Sequence, residues 1–168
     1  MKLFSFIIAC VIVFSQGAPL PMDVSDDGGI TLMLPRTLKI NDSLIIEGVL
    51  NNESERISVL LPAADSDDCQ ILYDYNSHII EVTPGVEEYT KSTYKIDNKG
   101  GRFKLELTVK HNKYYTAEIK VDFSVNGADM PESLYLDVSK CLDSMNSIVL
   151  KEGVETINIL SFEFEKSA

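Results

Sequence analysis

Between positions 103 and 139 the chain alternates apolar and polar residues, and few patterns limit a fold more. Phe103, Leu105, Leu107 and Val109 interleave with Lys104, Glu106, Thr108 and Lys110. Ile119, Val121, Phe123 and Val125 repeat the pattern against Lys120, Asp122, Ser124 and Asn126. Leu134, Leu136 and Val138 do so again against Tyr135, Asp137 and Ser139. Successive side chains of a strand point to opposite faces, so each run predicts a strand with one face buried and the other in water. As a helix, the same residues would scatter their apolar members around the whole cylinder. No window carries a sustained i, i+3, i+4, i+7 stripe.

The breaks between runs agree. Asn41-Asp42, Asn51-Asn52, Pro62, Pro84-Gly85, Gly100-Gly101, Asn126-Gly127, Pro131 and Gly153 all fall between apolar segments. Each supplies a turn through positive φ, a fixed φ or a local side-chain hydrogen bond. Short strands at this spacing, with polar outer faces, predict an all-β fold: a two-sheet antiparallel β-sandwich. There is no internal repeat, low-complexity tract or second-domain boundary. Phe162-Glu163-Phe164-Glu165 continues the alternation and predicts an edge strand whose acidic side discourages pairing with other chains.

The first residues read as a targeting signal. Lys2 gives a positive start, Leu3 to Phe14 is an apolar run too short to span a bilayer, and Ser15-Gln16-Gly17 offers a cleavage site. Residues 1–17 are therefore expected to be removed, and the protein to be secreted. Residues 18–29, ending Asp26-Asp27-Gly28-Gly29, read as a flexible leader, with one domain over 30–164. No later segment has the run of about 20 apolar residues that a membrane helix needs.

The formal charge is −11, and one unit more negative without Lys2. Such a surface repels nucleic acid and anionic lipid, so neither is expected as a partner. After the signal segment two cysteines remain, Cys69 and Cys141, and an oxidising compartment invites one disulfide between them or leaves two buried thiols. Asn41-Asp42-Ser43 and Asn52-Glu53-Ser54 are glycosylation sequons in polar turns, which makes Asn41 and Asn52 candidate glycan carriers.

Three stretches resemble the galectin family. Leu38-Lys39-Ile40-Asn41-Asp42-Ser43-Leu44-Ile45-Ile46-Glu47-Gly48 and Glu55-Arg56-Ile57-Ser58-Val59-Leu60-Leu61 are similar to its early strands. Met145-Asn146-Ser147-Ile148-Val149-Leu150-Lys151-Glu152-Gly153-Val154-Glu155 is similar to its closing stretch. The resemblance covers roughly 30–162 and implies a galectin-like jelly roll with a shallow β-galactoside groove on one sheet. Galectins read galactose with a His-x-Asn-x-Arg strand, an Asn on the next strand and a Trp-Gly-x-Glu-x-Arg segment. Side chains two apart share a face, so three polar groups of one strand can converge on neighbouring hydroxyls.

The middle of this chain departs from that pattern. Ile71-Leu72-Tyr73-Asp74-Tyr75-Asn76-Ser77 stands in place of the first strand, which puts Tyr73, Tyr75 and Ser77 at the matching positions. Val82 stands at the expected Asn. In Pro84-Gly85-Val86-Glu87-Glu88-Tyr89 the Trp has become Pro84 and the Arg Tyr89, with Glu87 retained. The chain contains no tryptophan, so no realignment restores the stacking platform. The resemblance thus implies a carbohydrate site built from Tyr73, Tyr75, Ser77 and Glu87, weak toward simple galactosides. Stacking would come from the tyrosines and hydrogen bonding from the other two.

Catalysis has little to rest on. His78 and His111 have no nucleophile motif nearby, and Gly-x-Ser-x-Gly, His-Glu-x-x-His and phosphate-loop patterns are absent. Asp65-Ser66-Asp67-Asp68 lacks the glycine and distal glutamate of a calcium loop and reads as a solvated turn. No enzyme activity, cofactor or metal is expected. Two functions follow: a secreted galectin-like protein that binds glycan through an altered groove, or a domain that has lost sugar recognition and binds an extracellular glycoprotein or other protein. A homodimer through a sheet edge is compatible with either.

Overall fold

The computed structural model describes residues 22–24, 29–62, 69–83, 90–95, 100–114, 116–138, 142 and 145–164. Residues 1–17, expected to be a signal segment, lie outside the described residues, as do Glu87, Cys141 and the Asp65-Ser66-Asp67-Asp68 run. Within them the strands are β1 (Met22–Val24), β2 (Ile30–Met33), β3 (Ser43–Leu50), β4 (Arg56–Leu61), β5 (Cys69–Asp74), β6 (Ile79–Thr83) and β7 (Thr90–Thr93). They continue as β8 (Gly101–His111), β9 (Ala117–Val125), β10 (Ala128–Asp129), β11 (Leu134–Asp137), β12 (Ser147–Glu152) and β13 (Val154–Glu163).

They form two antiparallel sheets. One runs β1-β2-β12-β4-β5-β6-β7; the other runs β10-β9-β8-β3-β13, with β11 also paired to β9. The alternating segments behave as the sequence predicts. Phe103, Leu105, Leu107 and Val109 of β8, and Ile119, Val121, Phe123 and Val125 of β9, all face the core. Leu134, Leu136 and Val138 join them. Their polar neighbours form the outer face of the six-stranded sheet, and the closing segment is its edge strand β13.

Turn chemistry explains the register. Val125 and Ala128 are joined by Asn126-Gly127 alone, with φ of 53° and 79°. Positive φ at both central residues matches a type I′ turn, whose twist suits a hairpin. Gly153 makes the corner where the chain leaves β12 in one sheet for β13 in the other. Its φ is 79°, and a Cβ there would lie 2.4 Å from the Arg56 carbonyl oxygen, so no other residue fits without displacement.

Two further anchors hold the fold, one within the six-stranded sheet and one between the sheets. Asp42, fully buried ahead of β3, accepts hydrogen bonds from Lys39 N at 2.7 Å and Arg36 Nη2 at 2.9 Å. The same Arg36 guanidinium lies 4.2 Å from the Phe164 ring centroid, linking the entry to β3 with the end of β13. An aromatic cluster of Tyr73, Tyr94, Phe103 and Phe123 spans the gap between sheets, with Tyr73 and Phe123 centroids 6.2 Å apart. The stretch read as a leader also differs from expectation in part. Met22–Val24 pairs with β2 as an edge strand, held by main-chain hydrogen bonds that need no apolar composition.

Candidate functional site

The middle of the seven-stranded sheet, β4-β5-β6, holds the segments in which the sequence placed a sugar site. Its register decides which side chains can reach a ligand. Arg56 pairs with Asp74 and Leu61 with Cys69 across β4 and β5; Asp74 pairs with Ile79 and Gln70 with Thr83 across β5 and β6. Ile57, Val59 and Leu61 of β4, Ile71 and Tyr73 of β5, and Ile80 and Val82 of β6 all point inward.

This corrects the expected site. Tyr73 and Tyr75 are 2% and 3% exposed and belong to the core between the sheets, so neither lines an outer groove. Their rings meet edge to face at 5.1 Å, and the Tyr73 hydroxyl donates to the Tyr94 carbonyl at 2.8 Å. Burying two large rings between apolar layers outweighs exposing them on a sheet face, and their flanking partners Ile57 and Ile80 set the same phase. Ser77 is exposed, but it lies in the turn after β5, where its N and Oγ donate to Asp74 Oδ1 at 2.8 and 3.0 Å. Val82 is wholly buried. Glu87 lies outside the described residues.

The outward face carries a different set, arranged as a grid of three rows across β4, β5 and β6. Arg56, Asp74 and Ile79 form one row; Ser58, Leu72 and Glu81 the next; Leu60, Gln70 and Thr83 the third. Val149 of β12 pairs with Leu60 on its other side. Much of the polar chemistry is already engaged. Gln70 Nε2 donates to Ser58 Oγ at 3.0 Å, and Arg56 grips Glu152 with Nε and Nη2, the latter 3.0 Å from Oε1.

The charges follow from these contacts. The Glu152 hydrogen bond and its charge raise the Arg56 guanidinium above its ordinary value, so it stays protonated. The Ser77 main-chain N–H, against a small cost of burial and helped by the Ser77 hydroxyl and the Asn76 N–H, holds the Asp74 carboxyl below the usual range. The grid therefore offers acceptors at Asp74 and Glu81, an amide at Gln70 and the half-buried aliphatic side chains of Leu72 and Val149, while Ser58 and Leu60 are buried. That suits hydrogen bonding to hydroxyls with apolar contact beside it. Gln70, Leu72, Asp74 and Glu81 were missed because the family alignment set the phase; the polar–apolar alternation of Cys69-Gln70-Ile71-Leu72-Tyr73-Asp74 carried the opposite one.

The remaining candidates stand apart from this face. Asn41 and Asn52 are exposed in turns, Asn41 with φ of 68°. Cys69 is buried at the start of β5, and its proposed partner Cys141 lies outside the described residues. Among the described residues no three His, Cys, Asp or Glu side chains gather as metal ligands, and no helix is long and apolar enough to cross a membrane.

No family model and no curated protein sequence matches the chain. Solved structures do. Caenorhabditis elegans galectin LEC-6 is similar at a TM-score of 0.59 and 12% identity, covering 87% of this chain and 99% of its own. The toad ovary galectin in complex with thio-digalactose reaches 0.57 at 13% identity, over 80% of this chain and 98% of its own. Chicken galectin 2 reaches 0.56 at 12% identity, over 78% and 96%. With two antiparallel sheets in matching arrangement and nearly the whole of each relative covered, the fold of this chain is the galectin fold.

Proposed function

We propose that this is a secreted galectin-fold protein that binds carbohydrate through the outer face of β4-β5-β6, with weakened affinity for simple galactosides. One observation carries the reading. The outward phase of β5 presents Gln70, Leu72 and Asp74, flanked by Glu81, on the strand where galectins read their sugar. A galectin of the same fold is known in complex with thio-digalactose. The weakening has a physical reason: this face carries no imidazole or indole, and Arg56 is tied to Glu152. Each lost hydrogen-bond partner removes about 1 kcal/mol, and two or three such losses erase a millimolar-range site.

Secretion rests on Lys2 and the apolar run to Phe14, and glycan attachment at Asn41 and Asn52 on their sequons. A bridge between Cys69 and Cys141 is part of the same reading. Cys69 and Cys141 are the two cysteines left once the segment expected to be removed has taken Cys10 with it. No catalytic role is assigned.

A second reading, a protein-interaction module without sugar recognition, is favoured by the half-buried aliphatic side chains of Leu72 and Val149 on the same face. The test is a glycan array run beside lactose-agarose. Carbohydrate binding predicts retention on at least one glycan, little on lactose, and loss of that retention in Gln70→Ala and Glu81→Ala variants that still fold. Silence across the array with an intact fold would reject it and leave the second reading.

A further inference from the structure

The outer face of the opposite, six-stranded sheet holds a cleft of about 310 Å³. It is walled by Lys104 and Glu106 of β8, Asp122 and Ser124 of β9, and Asp129 and Met130 of the β10 hairpin arm. The register makes this a compact square: Lys104 opposes Ser124, Glu106 opposes Asp122, and Asp129 sits beyond Ser124. The hairpin arm is held in place, since Met130 N donates to the Phe123 carbonyl at 3.0 Å. The volume is at the lower end of the range for small-ligand sites, about 300–1,000 Å³.

The charges in the cleft are largely spent on one another. Lys104 Nζ lies 3.0 Å from Glu106 Oε2, and Lys120 Nζ lies 2.6 Å from Asp122 Oδ2. Ser133 Oγ donates to Asp122 Oδ1 at 2.6 Å. Glu106 and Asp122 are thus oriented and neutralised, while Asp129 adds a third carboxylate to the wall; a carboxylate has about four lone-pair positions and an ammonium three donors. Each retains hydrogen-bonding capacity toward the cleft. The Glu106 hydrogen bond, with the charges of Glu47 and Asp129, also raises Lys104 above its ordinary value, so the donor persists through the physiological range.

Paired carboxylates as acceptors, an ammonium and a hydroxyl as donors, and one thioether as apolar wall together suit a ligand rich in hydroxyls and carrying no charge. From this arrangement we propose a second binding site, for a neutral monosaccharide-sized polyol, in the cleft formed by Lys104, Glu106, Asp122, Ser124 and Met130. It is independent of the β4-β5-β6 face, which belongs to the other sheet.

The Met130 methyl group is a probe built into the wall. Methyl NMR of the full secreted protein, titrated with galactose, mannose and N-acetylglucosamine, should show the Met130 resonance shifting to saturation at about 10 mM or below. Ser124→Tyr fills the cleft with a residue that strands accept, and should abolish the shift while leaving the melting temperature unchanged. Glu106→Gln keeps the shape and should weaken binding about tenfold, which decides the matter if the tyrosine variant does not fold. Gln70→Ala on the opposite face should leave the Met130 shift intact, so failure of the proposed function and failure of this site read out separately. A response only to putrescine or calcium would overturn the proposal as a simple acidic patch, and no response to any sugar would overturn it outright.

Discussion

Tyr73 and Tyr75 hold the lesson at the residue scale. Family likeness places them at sugar-reading positions, while their neighbours place them in the core. Burial, reinforced by Tyr73, pushes the Tyr75 hydroxyl up to about 12. An unfolded tyrosine ionises near about 10, so the folded protein holds this proton more tightly than the unfolded chain. Its contribution to stability is complete below about pH 10 and is lost as pH rises toward about 12. Tyrosinate absorbance, compared between the protein and a Tyr75→Phe variant, should therefore show Tyr75 ionising only toward about pH 12, together with unfolding. Ionisation of Tyr75 near about pH 10 in a protein that stays folded would contradict its burial. Tyr73→Phe removes the donor to the Tyr94 carbonyl and should cost about 1–3 kcal/mol in denaturant unfolding. Glycan retention should not change, since the ring never meets the ligand face.

Among elements, the β12–β13 corner is the most exacting. The chain crosses from one sheet to the other through a single residue, Gly153, at positive φ and against the Arg56 carbonyl. Gly153→Ala should therefore destabilise by at least about 1–2 kcal/mol. For a domain of this size that lowers the melting temperature by roughly 2–8 °C. An unchanged melting curve would mean that the corner has room to relax. The β9–β10 turn makes a useful contrast: nothing lies within 4 Å of a Cβ built at Gly127, so an alanine there meets backbone strain alone and should cost less. The neighbouring Tyr94 hydroxyl accepts from Val125 N at 3.1 Å and donates to the Ala128 carbonyl, which stiffens the arm that walls the second cleft.

For the whole molecule, two sheets packed on one core leave two outer faces, and the sequence writes them differently. On the six-stranded side the polar residues pair as Lys104 with Glu106 and Lys120 with Asp122; on the seven-stranded side Leu72 and Val149 interrupt them. The proposed Cys69–Cys141 bridge would close a loop of about 70 residues, worth about 4 kcal/mol in the chain-entropy model. Reduction should then lower the melting temperature by about 10 °C, and mass spectrometry of the unreduced digest should find the linked peptides. Free thiols at both positions in the unfolded, unreduced protein would exclude the bridge.

Much of this architecture is legible in the sequence. Phe103 to Val109 and Ile119 to Val125 declare their strands and inner faces, because pleating converts period-two hydrophobicity directly into sidedness. Asn126-Gly127 and Gly153 likewise announce their turns, since few residues tolerate positive φ. The candidate site is another matter. The alternation around Tyr73 holds the correct phase, but only the pairing of Tyr73 with Ile57 and Ile80, and the edge-to-face contact of Tyr75 with Tyr73, establish that both tyrosines lie inside. The cleft by Met130 lies within the consecutive strands β8, β9 and β10, and its lining follows from hairpin register, which sets Lys104 opposite Ser124 and Glu106 opposite Asp122, rather than from any sequence motif. Local chemistry determined the strands, their faces and their turns; which side chains meet on those faces was decided by strand order and register, which are properties of contacts between distant segments.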